Sequence, residues 1–298
     1  MQLTSLQQDI SSTVTWSLKE DLGISPDGKL EQNLDITAEL IPAESNAVAS
    51  IINREDCIVC GIAWVNEVFK QLDALSGEQT HITWFVQDGQ LAKENTTLCE
   101  ISGNARILLT GERAGLNFLQ TLSGTATLTA SYVNELKDSK TQLLDTRKTL
   151  PGLRTAQKYA VSCGGGNNHR VGLFDAFLIK ENHIAACGSI ANAIAAAKSN
   201  HADKKVEVEV ENMDELQQGL NASADIIMLD NFTTDMIEQA MQTTIAYNKN
   251  NNQDTKIEVS GNMTMETLKA YTAAGVDYIS SGALTKHVQA IDLSMRFS

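Results

Sequence analysis

The sequence predicts an α/β protein, with an α+β domain built on an antiparallel sheet followed by a parallel α/β barrel of fewer than the usual eight strands. Three observations predict it. Near residue 112 the chain changes from short alternating segments joined by turns to a regular succession of strands and helices. Six strand-like segments alternate with helical ones there, which implies parallel strands joined by right-handed crossovers. Each of those strands ends in polar, chemically capable residues, and α/β barrels gather their sites at that end.

The elements follow in order. Leu3, Leu6, Ile10, Val14 and Leu18 recur at helical spacing over residues 3–20. Residues 47–53 and 81–86 alternate like strands, and 62–72 reads as a helix between them. Gln87-Asp88-Gly89-Gln90 supplies an Asp-Gly hairpin turn, and strand-like segments follow near 97–101 and 105–110. A long helix is expected over 112–136, with Leu116, Leu119 and Leu122 on neighbouring positions. The barrel strands are then 142–145, 174–179, 206–210, 225–229, 256–259 and 277–280. Helices over 152–162, 188–199, 212–220, 233–247 and 264–274 separate them. Pro151 and Gly152 open the first of these and Gly164 follows its end, while Asn212 with Glu215 makes a capping-box-like start to the third.

An open doubly wound sheet satisfies the same alternation. Val206-Glu207-Val208-Glu209-Val210-Glu211 bears on the choice, because a central strand of an open parallel sheet is apolar on both faces. In a barrel the valines face the helices while a carboxylate points into the mouth; the alternative is an edge strand with a solvated acidic face. The strand ends favour the barrel: Asp145-Thr146-Arg147-Lys148, Lys180-Glu181-Asn182-His183, Glu209 with Glu211, Asp230-Asn231, Ser260-Gly261-Asn262 and Ser280-Ser281-Gly282.

Composition excludes several function classes. The chain has 298 residues, 42% of them hydrophobic and 20% charged, which excludes a disordered or collagenous protein. A net charge of −14 argues against a nucleic-acid-binding surface, which needs a basic footprint. The start, Met1-Gln2-Leu3-Thr4-Ser5, shows no basic-then-apolar leader, and no apolar run approaches the length of a membrane span, so a cytoplasmic location is expected. Five scattered cysteines (57, 60, 99, 163, 187) do not read as a disulfide framework. The lone Cys57-x-x-Cys60 reads as two packed thiols ahead of a zinc site.

The charge is unevenly placed. Residues 106–183 hold ten basic and six acidic residues, a +4 island, while the remainder stands at −18. Five of the seven arginines (106, 113, 147, 154, 170) fall in the island, and arginine's planar fork suits carboxylate and phosphate. Two segments carry its chemistry, 145–154 and Cys-Gly-Gly-Gly-Asn-Asn-His-Arg over 163–170, where three consecutive glycines exceed what a helix end needs and permit close approach to a ligand. Glu209 and Asp230, from successive strand ends, can share one divalent cation or can each pair with a neighbouring cation. Ser260-Gly261-Asn262 and Ser281-Gly282-Ala283 each lead into a helix, a recurrent phosphate site. Together these suit a substrate with carboxylates reacting with a phosphorylated, metal-bound partner.

On these residues the chain resembles the quinolinate phosphoribosyltransferase family. The resemblance is carried by Asp145-Thr-Arg-Lys-Thr-Leu-Pro-Gly-Leu-Arg154, the 163–170 segment, Leu178-Ile-Lys-Glu-Asn-His183, Glu258-Val-Ser-Gly-Asn262, Ser281-Gly-Ala-Leu-Thr-Lys-His287, Asp35-Ile-Thr-Ala38 and Gly111-Glu-Arg-Ala-Gly-Leu-Asn117. It implies an N-terminal α+β sandwich domain over 1–111, with 288–298 packing back on it. An incomplete parallel α/β barrel of about six to seven strands would follow over 112–287. It also implies a homodimer and the transfer of phosphoribosyl from phosphoribosyl pyrophosphate to quinolinate with loss of CO₂, using Mg²⁺. Arg147, Lys148, His169, Arg170 and Lys180 would line the quinolinate end, with Arg113 reaching in from the partner subunit. Glu209 and Asp230 would serve the ribose and metal–pyrophosphate end, and with Lys148 they form the expected catalytic set. Ser260, Gly261, Asn262, Ser281, Gly282 and Ala283 would hold the 5′-phosphate. The asparagine-rich stretch 248–252 reads as a surface-loop extension. Three rivals stand beside this reading: a related protein of molybdenum-uptake operons, a Schiff-base barrel aldolase using Lys148 or Lys180, and a non-catalytic quinolinate binder.

Overall fold

The periodic run at the N-terminus folds as helix α1 (Leu3–Asp21), whose Ile10, Val14 and Leu18 are buried one turn apart. The computed structural model describes residues 3–31, 34–261 and 265–297. After α1 come β1 (Asn46–Asn53), β2 (Cys57–Ile58), α2 (Ile62–Ser76), β3 (His81–Trp84), β4 (Leu91–Ala92), β5 (Thr97–Asn104) and the long helix α3 (Ala105–Leu136). Then follow β6 (Gln142–Leu144), α4 (Arg154–Cys163), β7 (Phe177–Ile179), α5 (Glu181–Cys187), α6 (Ile190–Asn200), β8 (Val206–Val210) and α7 (Met213–Asn221). The chain closes with β9 (Ile226–Leu229), α8 (Thr234–Asn251), β10 (Lys256–Ser260), α9 (Met265–Ala273), β11 (Tyr278–Ser280), α10 (Ala283–Lys286) and β12 (Leu293–Phe297). Among the described residues no helix is long and apolar enough to cross a membrane.

By packing, the described residues of Met1–Ala130, Leu150–Gly165 and His287–Ser298 form one unit, and Ser131–Thr149 with Gly166–Lys286 form the other. The division at residue 111 expected from the sequence lies inside the continuous helix α3.

The first unit is an antiparallel sheet of order β12-β1-β5-β3 covered by helices. Ala49 and Ile51 of β1 and Leu98 and Ile101 of β5 bury against Val65 and Phe69 of α2 and Leu108, Leu116 and Leu119 of α3. Trp64, Val68 and Leu72 of α2 instead share a second core with Val14, Leu18, Phe118, Ala156 and Ala160. Cys57 and Cys60 are buried free thiols, one in each core.

Three local readings are corrected here. Residues 105–110 open α3 and are not a strand: Asn104 Oδ1 accepts from the Arg106 amide at 3.0 Å and caps the helix, and the Ile107-Leu108-Leu109 run is short enough to suit either period. Asp88-Gly89 does turn the chain, with Gly89 at φ +86°, but β3 pairs with β5 and β4 with β2, so no hairpin joins them. The Asp88 carboxylate accepts from the Gly61 and Ile62 amides at 2.9 and 3.2 Å and caps α2. The asparagine-rich stretch 248–252 forms no loop extension either. It completes α8, ends it at left-handed Asn252, and Asn248 holds both the amide and the carbonyl of Thr255.

In the second unit six parallel strands run in the order β6-β11-β10-β9-β8-β7. That is the cyclic sequence order of a barrel, with β6 beside β11 and one seam between β6 and β7; a doubly wound sheet would reverse direction at an internal strand. The seam is sealed by residue 167. Asn167 donates its amide to Leu143 O at 2.8 Å and accepts from the Asp145 amide at 3.1 Å, a parallel bridge along the free edge of β6. Strand β8 is paired on both sides, its valines are fully buried, and Glu207 is buried too, so its alternation marks an interior strand and not a solvated edge. The helix expected over 188–199 is α6, capped by Ser189, and a further short helix, α5, precedes it and ends at left-handed Gly188. Of the helix expected over 264–274, Thr264 lies outside the described residues.

The glycines at 164 and 165 have structural duties in the first unit. A Cβ at Gly164 would lie 2.4 Å from the Ala126 carbonyl oxygen, so the end of α4 touches α3 there, and Gly165 holds φ +85°. Gly164→Ala is therefore expected to destabilise the protein by about 1–3 kcal/mol, measured as a lowered urea midpoint.

Candidate active site

The site is assembled at the C-terminal strand ends of the second unit. Directly after β6, buried Asp145 takes two bonds from the segment that seals the seam: its Oδ2 accepts from Asn168 Nδ2 at 2.7 Å and its Oδ1 from the His169 amide at 2.9 Å. The next residue in that segment, Arg170, donates its amide to His169 Nδ1 at 2.8 Å. A ring nitrogen that accepts carries no proton, so the neutral imidazole has its proton on Nε2. Nε2 stands 2.9 Å from Glu207 Oε2 on β8 and 3.6 Å from Glu258 Oε2 on β10.

These three ligand atoms lie within 4.8 Å of one another, the spacing of a cation site. A protonated Nε2 has no lone pair to offer, so the group is a close cluster of two carboxyls and an imidazole whose Nε2 makes no aligned hydrogen bond. Both Glu258 oxygens are buried without a hydrogen bond. Burial, followed by the charge of Glu207, pushes the Glu258 carboxyl up to about 8.

The arginines stand close to this network. The Arg170 guanidinium has its pKa lowered by burial and then by the like charge of Arg147, while the Nε of Arg147 is buried with no hydrogen-bond partner. Two repelling guanidiniums, one with an unsatisfied donor, form a seat for a carboxylate. At the end of β7, Lys180 pairs through Nζ with Glu209 of β8, and its amide donates to His183 Nδ1 at 3.0 Å. Asp230 ends β9 and accepts from Asn231 Nδ2 at 3.0 Å; among the described residues no group of three metal-ligating side chains includes Glu209 or Asp230.

The late loops hold the remaining candidates. Lys148 lies over Gly282, where a Cβ would come within 2.8 Å of its Cδ, and its carbonyl accepts from Thr285 Oγ1 at 2.8 Å. Ser281 is buried and its Oγ accepts from the Ala283 amide at 3.3 Å, so the loop's accessible surface comes from Gly282 and Ala283. Ser260 stands in register with Ser280 at the end of β10, Gly261 is exposed, and Asn262 lies outside the described residues. Arg113 is exposed on α3 in the first unit, 3.7 Å from the Glu112 carboxylate. Sequence reasoning did not select Glu207 and Glu258 as site residues. Only the strict acidic alternation of β8 hinted at the former.

Fold and site together define a class: an incomplete α/β barrel whose strand ends bring fixed cations and carboxylates together. Family models for the C-terminal and N-terminal domains of quinolinate phosphoribosyl transferase match residues 125–296 and 35–123. The probable nicotinate-nucleotide pyrophosphorylase [carboxylating] of Bacillus subtilis (strain 168) is 40% identical, over 88% of this chain and 87% of that one. The Mycobacterium leprae nicotinate-nucleotide pyrophosphorylase [carboxylating] is 35% identical over 95% of each. The solved nicotinate-nucleotide pyrophosphorylase of Francisella tularensis superposes with a TM-score of 0.88 at 46% identity, covering 98% of this chain and 97% of that one. The chain belongs to the quinolinate phosphoribosyl transferase family.

The raised Glu258 carboxyl carries a pH signature. The folded chain keeps a proton that the unfolded chain releases above about 4.5, so this group costs stability progressively as pH rises from there toward 8, and no further beyond. Glu258→Gln removes that slope. The melting temperature of the variant relative to wild type is expected to rise by a few degrees between about pH 5 and pH 8.

Proposed function

We propose that this protein transfers phosphoribosyl from phosphoribosyl pyrophosphate to quinolinate with decarboxylation, giving nicotinate mononucleotide, pyrophosphate and CO₂ in NAD biosynthesis. The observation that carries the reading is the Arg147–Arg170 pair with its unsatisfied buried Nε, the receptor a ring carboxylate requires. Lys180 supplies the cation for the second carboxylate. Because it is paired with Glu209, a substrate carboxylate that takes Lys180 releases Glu209 toward the ribose.

The ring nitrogen attacks the anomeric carbon of the ribose as the C–O bond to pyrophosphate breaks, and the positive charge that develops on the sugar is stabilised by Glu209 and Asp230. These two carboxylates, hard oxygen donors at neighbouring strand ends, would hold Mg²⁺, which would supply positive charge to neutralise the leaving group. Once the nitrogen is quaternised, the adjacent carboxylate leaves as CO₂, and the carbanion it leaves beside N⁺ takes up a proton. The chain's residues position and neutralise, and no covalent nucleophile is needed. Lys148 serves the quinolinate end and lies over Gly282, which with Ala283 and the Ser260–Gly261 turn serves the phosphate end. Lys180 is ion-paired and Lys148 is exposed, so neither is the desolvated amine that a Schiff-base aldolase needs.

The proposal includes a cytoplasmic homodimer in which Arg113 enters the partner's site. A CO₂-release assay with quinolinate, phosphoribosyl pyrophosphate and Mg²⁺, with nicotinate as control, tests the activity; no release with quinolinate refutes it. Arg147→Ala and Lys180→Ala are each expected to lower kcat/KM by about 10²-fold or more with unchanged melting; near-wild-type rates in either variant would remove that residue from the site. Mixing Arg113→Ala with Lys148→Ala subunits is expected to restore activity from one intact site per mixed dimer. No recovery after verified subunit exchange counts against the shared site.

A further inference from the structure

Residues 164–176 contain no helix and only a single bridging residue, yet they present Arg170 beside Arg147 against mutual repulsion. Such a segment holds its geometry only through anchors outside its own backbone. Asn167 is anchored on β6, Asn168 and the His169 amide are anchored on Asp145, and Asp175 accepts from the Val171 and Gly172 amides at 2.6 and 2.9 Å. The Arg170 amide itself is held by the His169 ring. That ring is in turn oriented from inside the barrel, where Glu207 Oε2 lies 2.9 Å from Nε2.

Glu207 is suited to this task. It sits on β8, paired on both sides, and its side chain is 4% exposed, so it is a rigid reference point. Its Oε1 is buried with no hydrogen bond. A carboxylate kept in that environment is costly, and an apolar residue would cost the barrel less. What the carboxylate adds is an oxygen fixed 2.9 Å from Nε2, which attracts a proton there electrostatically although the N–H is not aligned on it as a hydrogen bond, and so leaves Nδ1 to accept from Arg170.

We propose that Glu207 is a positioning residue for quinolinate binding, holding His169 in its Nε2–H tautomer so that Nδ1 fixes Arg170 beside Arg147. This rests on the quinolinate reading above. It gives His169 a role through the backbone of Arg170, with both ring nitrogens facing protein groups.

Two variants of the full-length protein test it. Glu207→Met keeps the volume and removes the acceptor; Glu207→Gln keeps an acceptor without the charge. Glu207→Met is expected to raise the KM for quinolinate about tenfold or more while the KM for phosphoribosyl pyrophosphate stays within about twofold. Glu207→Gln is expected to regain most of the loss. Nitrogen NMR of histidine-labelled protein, with the signal assigned through His169→Gln, is expected to show the Nε2–H tautomer in wild type and Glu207→Gln and a mixture in Glu207→Met. Equal weakening for both substrates, or an Nδ1–H tautomer in wild type, overturns the proposal. If Glu207→Met does not fold, the tautomer in wild type and Glu207→Gln decides by the same criterion. Wild-type protein that shows the Nε2–H tautomer but does not turn over quinolinate would refute the substrate reading and leave the ring geometry standing.

Discussion

An incomplete barrel leaves the edges of two strands facing a seam, and the rest of the site depends on how this chain covers the β6 edge. The edge of β6 carries backbone groups that need partners, and residue 167 supplies them by a single parallel bridge to residues 143–145. Covering the edge delivers the next three residues to the strand ends. Asp145, the first residue past β6, then clamps Asn168 and the His169 amide, so the element that seals the fold is also the one that presents Arg170. A closed eight-stranded barrel would have no such edge and no such use for a loop.

The electrostatics follow from the same placement. The whole chain is strongly acidic, but the second unit places its charges in a pattern that net charge hides. Carboxylates on β8 and β10 lie inward, beneath the His169 ring. Cations stand at the ends of β6 and β7 and on the sealing loop, where Arg147 and Arg170 repel each other and Lys180 pairs with Glu209. Burial keeps a proton on Glu258, which limits the negative charge under the site. Lys180 of the β7 end is neutralised by Glu209 of β8, so a group that took either partner would free the charge of the other.

Much of this was legible in the sequence. The strands from 142 to 280 fall within about three residues of their expected starts, because each is a short apolar run bounded by polar ends and turn residues, which periodicity reads well. Arginine clustering and the 145–154 and 163–170 segments pointed to Arg147 and Arg170, and the polar strand end 180–183 pointed to Lys180. Other features escaped for identifiable reasons. Residues 105–110 have an apolar run too short to fix a period. The carboxylate of Asp88 caps a helix that begins 26 residues earlier in the chain. Gly164, read as a place for a ligand to approach, is small because Ala126 of α3 packs against it.

Glu207 and Glu258 show where the limit lies. Sequence alone determined the strand–helix order, the cap at Asn212 and the basic island, because each is a local pattern along the chain. It could not pair Glu207 with Glu258, 51 positions apart, or place both against His169. That arrangement exists only after three separate segments have folded around one interior, where removal from water and the neighbouring Glu207 charge raise the Glu258 carboxyl beside the imidazole.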